Sequence, residues 1–560
     1  MEPPDVSLGT GPRPTVPVST GSRPRPLRRG LIAAAWTLGA VAGFAAYLRL
    51  SWTLPVNSDG ASQALMAWDM LHGNMLLHQW TMGDVTYYTT ELPEYMLVEL
   101  VRGLNQDAVH AAAALTYTLA VLLAALLAKG TSTGREALTR VLIAAGIMLA
   151  PQLGAGTLTL LSSPDHFGTS VPVLLAWVIV DRAGPRWYVP LASALLLGWA
   201  EVADPTVFFI GALPLVIVCA VRVGRAMAGG QRLAAQWYEI ALGGGALAGA
   251  AAGMLALRVI EAHGFRAWPA TTSLSPLGTI FGHNLGFTGD GLLLLGGADF
   301  LVWPLGVTAA FIMLHVVGVA LGACGIALAV WRFPRERDLV AQVLLAGIVI
   351  NLAAYVAGTH ASDLANTREI SAVLPFSAAL AGRLLGPPLA ARAATRAATP
   401  GARRRLTRLL TPALVVVLLG YLAGLGYELS QPALPVQAQP VAAWLEAHHL
   451  TSGLSGFWPA NSLTLATGGQ LKLRPVELNG RRLYPFHDLQ DSQWYNPASA
   501  TANFVVLYPG VANYPGGVPG DGPFDDMQAV LATFGHPAAT YHVGSATVLV
   551  WHKNLLADLG

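Results

Sequence analysis

Residues 51–102 read SWTLPVNSDGASQALMAWDMLHGNMLLHQWTMGDVTYYTTELPEYMLVELVR, the longest polar interruption in the first half of a mostly apolar chain. Asn57 or Ser58 can cap a helix beginning at Asp59, because a short polar side chain there satisfies an otherwise unpaired amide. The Gly73-Asn74 pair supplies a stop about four turns later. At about 100° per residue, Gln63, Met66 and Met70 share the face of Asp59, whereas Asp69 points to the side. One carboxylate is thus set apart at the helix entrance. The amides and dipole of a first turn favour its ionised form, which suits a general base or a metal ligand. The competing reading is a plain juxtamembrane cap, and the surrounding architecture must decide between them.

Apolar residues make up 54% of the chain and charged residues only 11%, against roughly a quarter charged in soluble domains, so this is a polytopic membrane protein. Crossing ~30 Å of hydrocarbon takes roughly 20 residues. The segments 31–50, 109–128, 138–161, 169–180, 187–200, 206–221, 238–260, 305–331, 339–358, 370–385 and 409–429 meet or approach that length. About eleven spans put the two termini on opposite sides. The short pair around Pro185 and Asp204 is the least secure, and losing both would preserve the topology.

Basic residues test this layout, since Lys and Arg favour the cytoplasmic side of short loops. The tail, 129–140, 182–186, 222–232, 332–337 and 383–408 are basic and fall on one side; before the last domain the other side holds Arg49, Arg102, Arg258, Arg266 and Arg368. A plasma-membrane protein with a cytoplasmic N-terminus and an extracytoplasmic C-terminus is expected. Residues 1–30 are too rich in Pro, Ser, Thr, Gly and Arg to fold alone and read as a disordered basic tail. A signal peptide over 28–46 is the alternative, but no small-x-small cleavage motif precedes Arg49, which favours a retained span. Cys219 and Cys324 sit in apolar runs, so no disulfide framework is expected. Abundant Ala, Gly, Arg and Pro with few Lys suits a GC-rich genome, such as an actinobacterial one.

From Ser430 the character changes. A helix at 441–449 and strands at 462–466, 471–476, 503–508 and 547–551 predict a small α/β domain over 430–560, after a membrane domain over 31–429 with its outer loop at 51–108. No phosphate-binding glycine loop, zinc spacing or nucleophile elbow is found, and no nucleic-acid partner is expected.

The first loop resembles that of the GT-C membrane glycosyltransferases, which include protein O-mannosyltransferases, aminoarabinose transferases and polyprenyl-phosphate-dependent mannosyltransferases. The resemblance rests on an acidic residue just outside the first span (Asp59), Met70-Leu71, the Gly73-Asn74 stop and a later Pro-x-Tyr (Pro93, Tyr95). It implies an inverting bacterial glycosyltransferase that moves a sugar from a polyprenyl-phosphate donor to a cell-envelope glycan, lipid or protein at the outer face of the bilayer, with Asp59 as general base. Many such proteins carry a second acid beside the first, where this chain has Gly60. A divalent metal is allowed by the resemblance but put in doubt by that glycine.

Polar residues at membrane level are costly and often functional. On the outer side these are Ser163-Pro164-Asp165-His166, Asp204-Pro205, His283-Asn284 with Asp290, and His360, Asp363, Arg368 and Glu369. Turn or cap duty explains Asp165 and Asp204, and interfacial polarity explains His283 and His360. Arg368 needs a partner, either Glu369, Asp363 or the donor's phosphate, for which its guanidinium offers bidentate donors. Donor or substrate binding is therefore assigned to Arg368, His360, His166, Asp165, Tyr95 and Trp80. Trp68, Trp80, Tyr87, Tyr88 and Tyr95 are interfacial anchors or sugar-stacking rings, and Trp458, Trp494 and Tyr495 are core residues or a carbohydrate platform. Two rivals stand beside the transferase reading: a transporter or lipid-handling protein, and a GT-C-like assembly protein without catalysis.

Overall fold

A computed structural model of the chain describes residues 26–149, 155–269, 273–300, 305–361, 364–394, 403–435, 439–508 and 526–560. Most of the expected basic tail, and Asp363, lie outside these residues. Helix α1 (Pro26–Ser51) is followed by two short helices, α2 (Ser58–Leu71) and α3 (Glu91–Arg102), with strand β1 (Trp80–Met82) between them. Then come α4 (Asp107–Lys129), α5 (Gly134–Leu149), α6 (Ala155–Leu161), α7 (Ser170–Ala183), α8 (Tyr188–Ala203), α9 (Leu213–Ala228) and α10 (Trp237–His263). After β2 (Arg266–Ala267), the single turn α11 (Leu277–Thr279) and α12 (Leu285–Leu295), the bundle closes with α13 (Val307–Arg332), α14 (Leu339–Ala357), α15 (Val373–Ala394) and α16 (Arg403–Leu429).

Among the described residues each expected span overlaps helix, and the one expected at 138–161 is covered by α5 and α6, with 150–154 outside the described residues. Among the described residues, eight helices are long and apolar enough to cross a membrane; α5, α7 and α8 fall short in length. The doubtful pair is nonetheless helical and closely packed. A Cβ on Gly249 would come within 2.3 Å of Ala194 O, and one on Gly253 within 2.5 Å of Gly198 O, so the backbones of α8 and α10 touch. Small residues four apart allow that approach where hydrophobic burial supplies no drive between helices. The chain is a multi-pass membrane protein.

The C-terminal region contains α17 (Gln439–Ala447), β3 (Ser452–Ser455), α18 (Phe457–Ala466), β4 (Lys472–Asn479), β5 (Arg482–Pro485), β6 (Gln490–Asp491), β7 (Phe504–Leu507), α19 (Met527–Phe534), β8 (Ala539–Val543) and β9 (Ala546–Val550). Its sheet runs β5-β4-β3-β7-β9-β8, with β3 parallel to β4 and β7, and antiparallel pairs at β4-β5, β7-β9 and β8-β9. The helix at 441–449 and three of the four expected strands are found. Residues 462–466 are instead the end of α18. Apolar positions there run without alternation because α18 is covered on both sides, by β4 and by α2. Ser462 and Thr464 return their hydroxyls to Trp458 O and Ala460 O, as helical residues do.

A second, three-stranded sheet, β2-β1-β6, ties this region to the bundle. Thr81 pairs with Arg266 in parallel and with Gln490 in antiparallel fashion. Three distant chain segments thus meet beside α2.

Candidate active site

Asn57, not Ser58, caps α2, its side chain accepting from Gly60 N at 2.9 Å. Gly73 ends the helix at φ +104°, a conformation that favours glycine. Gln63, Met66 and Met70 are buried as expected from the face they share with Asp59. Asp69, to the side, accepts from Asn74 Nδ2 and from Trp80 Nε1 and so pins the loop that follows.

Asp59 stands at the entrance of α2 with its side chain partly exposed, and Arg368 Nη1 donates to its Oδ2 at 3.1 Å. The same nitrogen lies 3.7 Å from Asp165 Oδ2. Asp165 is fixed by Gln63 Nε2 at 3.1 Å and Ser163 Oγ at 2.8 Å. Of the partners foreseen for Arg368, Glu369 is bound instead to His360, and two carboxylates from remote loops take its place. Next to them, His166 Nδ1 lies 2.9 Å from the buried Asp204 Oδ2. Burial alone would lower the His166 pKa, but the Asp204 carboxylate outweighs it and holds the imidazole above its ordinary value. His360 is likewise raised, first by its hydrogen bond to Glu369.

Two non-glycine residues at positive φ flank this cluster, Asp165 at +36° and Tyr87 at +53°. Such conformations each cost on the order of 1–3 kcal/mol and persist where surrounding structure fixes them. For Tyr87 the fixing is visible: Thr86 and Tyr87 both donate their amides to Ala203 O, which docks the first loop on the end of α8. The Tyr87 ring then meets His166 edge-on at 5.8 Å.

Asp59, Asp165, Arg368, His166 and His360 are therefore gathered at one end of the bundle. Tyr95 and Trp80 are not surfaces for a substrate. Tyr95 is fully buried among α2, α3 and α4, and Trp80 is buried with its ring edge-on to Trp494 at 5.0 Å. Trp494 and Tyr495 are also packing residues: Arg474 covers the Trp494 ring at 3.9 Å and Tyr495 is buried. His283 is exposed against Phe287, while Asn284 donates to Val356 O and Gly358 O, a structural tether.

Gly60 explains the missing second acid. A Cβ there would lie 2.8 Å from Val109 Cγ1 and 3.1 Å from Ser163 Cβ, so α4 and the 163–166 loop exclude a side chain. The second carboxylate beside Asp59 comes from Asp165. Gly60→Asp is expected to cost about 1–3 kcal/mol by overpacking; thermal unfolding matching wild type would refute the crowding. As to a metal, the Arg368 guanidinium lies where a cation bridging Asp59 and Asp165 would sit. Among the described residues no three His, Cys, Asp or Glu side chains are grouped to hold one. The residues present do not fit a divalent ion here.

Helix α3, outside the spans, carries a further acid. Glu99 is 2% exposed, and among the described residues neither carboxylate oxygen has a hydrogen-bond partner. Burial pushes it up to about 9. Its folded value lies above the unfolded one, about 4.3, so the stability it contributes is complete below that pH and lost as pH rises towards 9. Glu99→Gln should flatten the decline in melting temperature between pH 5 and 9; parallel curves for the two proteins would count against a neutral Glu99.

These features define a polytopic membrane protein with a charged cluster at the seam between its bundle and its C-terminal sheet domain. The fold is that of the GT-C glycosyltransferases. ArnT from Cupriavidus metallidurans in the apo state is similar with a TM-score of 0.54 and 14% identity, covering 95% of this chain and 99% of that one. The same protein bound to undecaprenyl phosphate gives 0.51 at the same identity and coverage. The Archaeoglobus fulgidus oligosaccharyltransferase in the apo form gives 0.46 at 14% identity, covering 84% of this chain and 69% of that one. No protein-family model and no curated protein matches the chain.

Proposed function

We propose that the chain is an inverting glycosyltransferase of the bacterial plasma membrane that moves a sugar from a polyprenyl phosphate to an extracytoplasmic acceptor. The observation that carries this reading is the Arg368 guanidinium held between Asp59 and Asp165 at the mouth of the GT-C bundle. Similarity to ArnT, solved with undecaprenyl phosphate, supports the donor class. Charge placement supports the orientation: Arg383 bridges Asp181 and Asp338, and Arg222 binds Gln342, at loops on the other side from Asp59.

In this mechanism the acceptor hydroxyl attacks the anomeric carbon, and its proton passes to the Asp59 carboxylate. A new glycosidic C–O bond forms as the bond from the anomeric carbon to phosphate oxygen breaks. The phosphate leaves with the electron pair, and Arg368 stabilises its charge. His166 and His360, each held above the ordinary imidazole value by a neighbouring carboxylate, stand in the same cluster as Arg368. Donor phosphate competes with Asp59 and Asp165 for the guanidinium, which couples binding to release of the base. Asp165, hydrogen-bonded on both oxygens, is the carboxylate fixed in place.

The test is mass spectrometry of lipids that copurify with the wild-type protein and with Arg368→Ala. A polyprenyl-phosphate sugar on the wild type alone supports the reading and identifies the donor. Its absence from a well-folded wild type would move the assignment to a transport or non-catalytic assembly role.

A further inference from the structure

Residues 274–289, between β2 and the middle of α12, are built inside out. Leu274, Leu277 and Phe281 are 82, 73 and 72% exposed and Leu285 is exposed as well, whereas Ser275, Asn284 and Thr288 are buried. A surface in water shows the reverse preference, with Ser, Thr and Asn outside and Leu and Phe inside. Leu277, Phe281 and Leu285 recur every fourth residue along α11, the wide π turn at 280–284 and the start of α12, which keeps them on one side of the segment. From Ala267 to Gly289 the sequence carries no Asp, Glu, Lys or Arg.

The buried polar residues fix the depth of this segment against the end of a spanning helix. Ser275 N donates to Ala357 O at 2.8 Å and Ser275 Oγ to Gly358 O at 2.9 Å, and Leu274 forms a β-bridge with Gly358. Asn284 Nδ2 reaches Val356 O at 2.8 Å and Gly358 O at 3.0 Å. Residues 356–358 close α14, one of the eight helices able to cross the bilayer. The segment is thereby held at the boundary between hydrocarbon and headgroups. Further along α12, a Cβ on Gly291 would lie 2.8 Å from Thr367 Oγ1, next to Arg368, so this is the end of the bundle that carries the charged cluster.

We infer that residues 274–286 lie in the plane of the leaflet on the side of the Arg368 cluster, with Leu274, Leu277, Phe281 and Leu285 among the acyl chains of the bilayer phospholipids. The stripe is continuous with the rim of the bundle at α14, so lipid around that helix reaches it without a gap. No charged side chain in the run has to be desolvated when it enters the interface. The rival occupant is a second copy of this chain, packed on Gly278, Gly282 and Gly286, which are four apart with nothing within 4 Å. A second copy would have to displace the lipid already at that rim. The chain next to the Arg368 turn is thus anchored to the membrane surface itself, a placement that stands on the fold and does not require sugar transfer.

The experiment uses the full chain in phosphatidylcholine liposomes. In a Cys219→Ala, Cys324→Ala background, a nitroxide is attached at Leu277→Cys, Phe281→Cys or Leu285→Cys. All three positions are exposed, so the label displaces no packed side chain. Native Cys324, exposed on the spanning helix α13, is the lipid reference in a Cys219→Ala protein, and Lys553→Cys, exposed in the C-terminal domain, is the aqueous one. Electron paramagnetic resonance compares collisions with oxygen, which concentrates in hydrocarbon, and with a water-soluble nickel chelate present on both faces. At two or more of the three positions the oxygen-to-nickel ratio should stand at least about fivefold above that at Lys553→Cys and approach that at Cys324. A smaller ratio at two or more positions would put the stripe in water and overturn the inference. Exclusion of both reagents would mean a protein cover, with spin–spin broadening identifying a second copy, and would overturn it equally.

Discussion

Asp59→Asn is expected to reduce sugar transfer by about 10²–10⁴-fold, the range a positioned general base supplies. The change keeps the size and planarity of the side chain and removes only its charge and basicity. Its side chain is partly exposed, and the cap of α2 is made by Asn57, not Asp59. Folding and membrane insertion should therefore persist. The decisive comparison is between transfer rate and copurifying donor: transfer should fall while the polyprenyl-phosphate sugar stays bound, since Arg368 remains with Asp165. Full activity in the variant would remove Asp59 from the mechanism.

Arg368→Ala should have a different signature. Asp59 and Asp165 would face each other without the cation between them, and like charges sharing a site are unfavourable. Breaking a buried pair costs about 3–5 kcal/mol; with the Arg368 side chain 35% exposed, solvent screening reduces that to about 1–3 kcal/mol. Donor affinity should fall by at least about tenfold, because a charge-assisted hydrogen bond to phosphate is lost. Arg368→Lys should recover part of the stability but less of the donor binding, since an ammonium is a point charge without the planar fork. Alanine and wild-type proteins retaining equal amounts of donor would show that the guanidinium is structural. An additional pair, Asp59→Asn with Arg368→Ala, should melt above Arg368→Ala alone, because it removes the repulsion that the single change leaves behind.

The sequence by itself determined the helices, the membrane class and the singled-out carboxylate. Apolar run length and capping act over a few residues, so Asn57, Asp59 and Gly73 were legible where they stand, as was the common face of Asp59, Gln63, Met66 and Met70. The same local logic misread 462–466 as a strand, because apolar residues covered on two sides carry no period to distinguish strand from helix. Tertiary structure alone decided the partners. Arg368 is 309 residues from Asp59, and nothing in a Thr-Arg-Glu triplet says that it turns from the adjacent Glu369 to Asp59 and Asp165. Likewise, the exclusion of a side chain at Gly60 depends on Val109 and Ser163. Those contacts are set by how the helices and the sheet domain close on one another, whereas a residue's local pattern reports only its own turn of helix or stretch of strand.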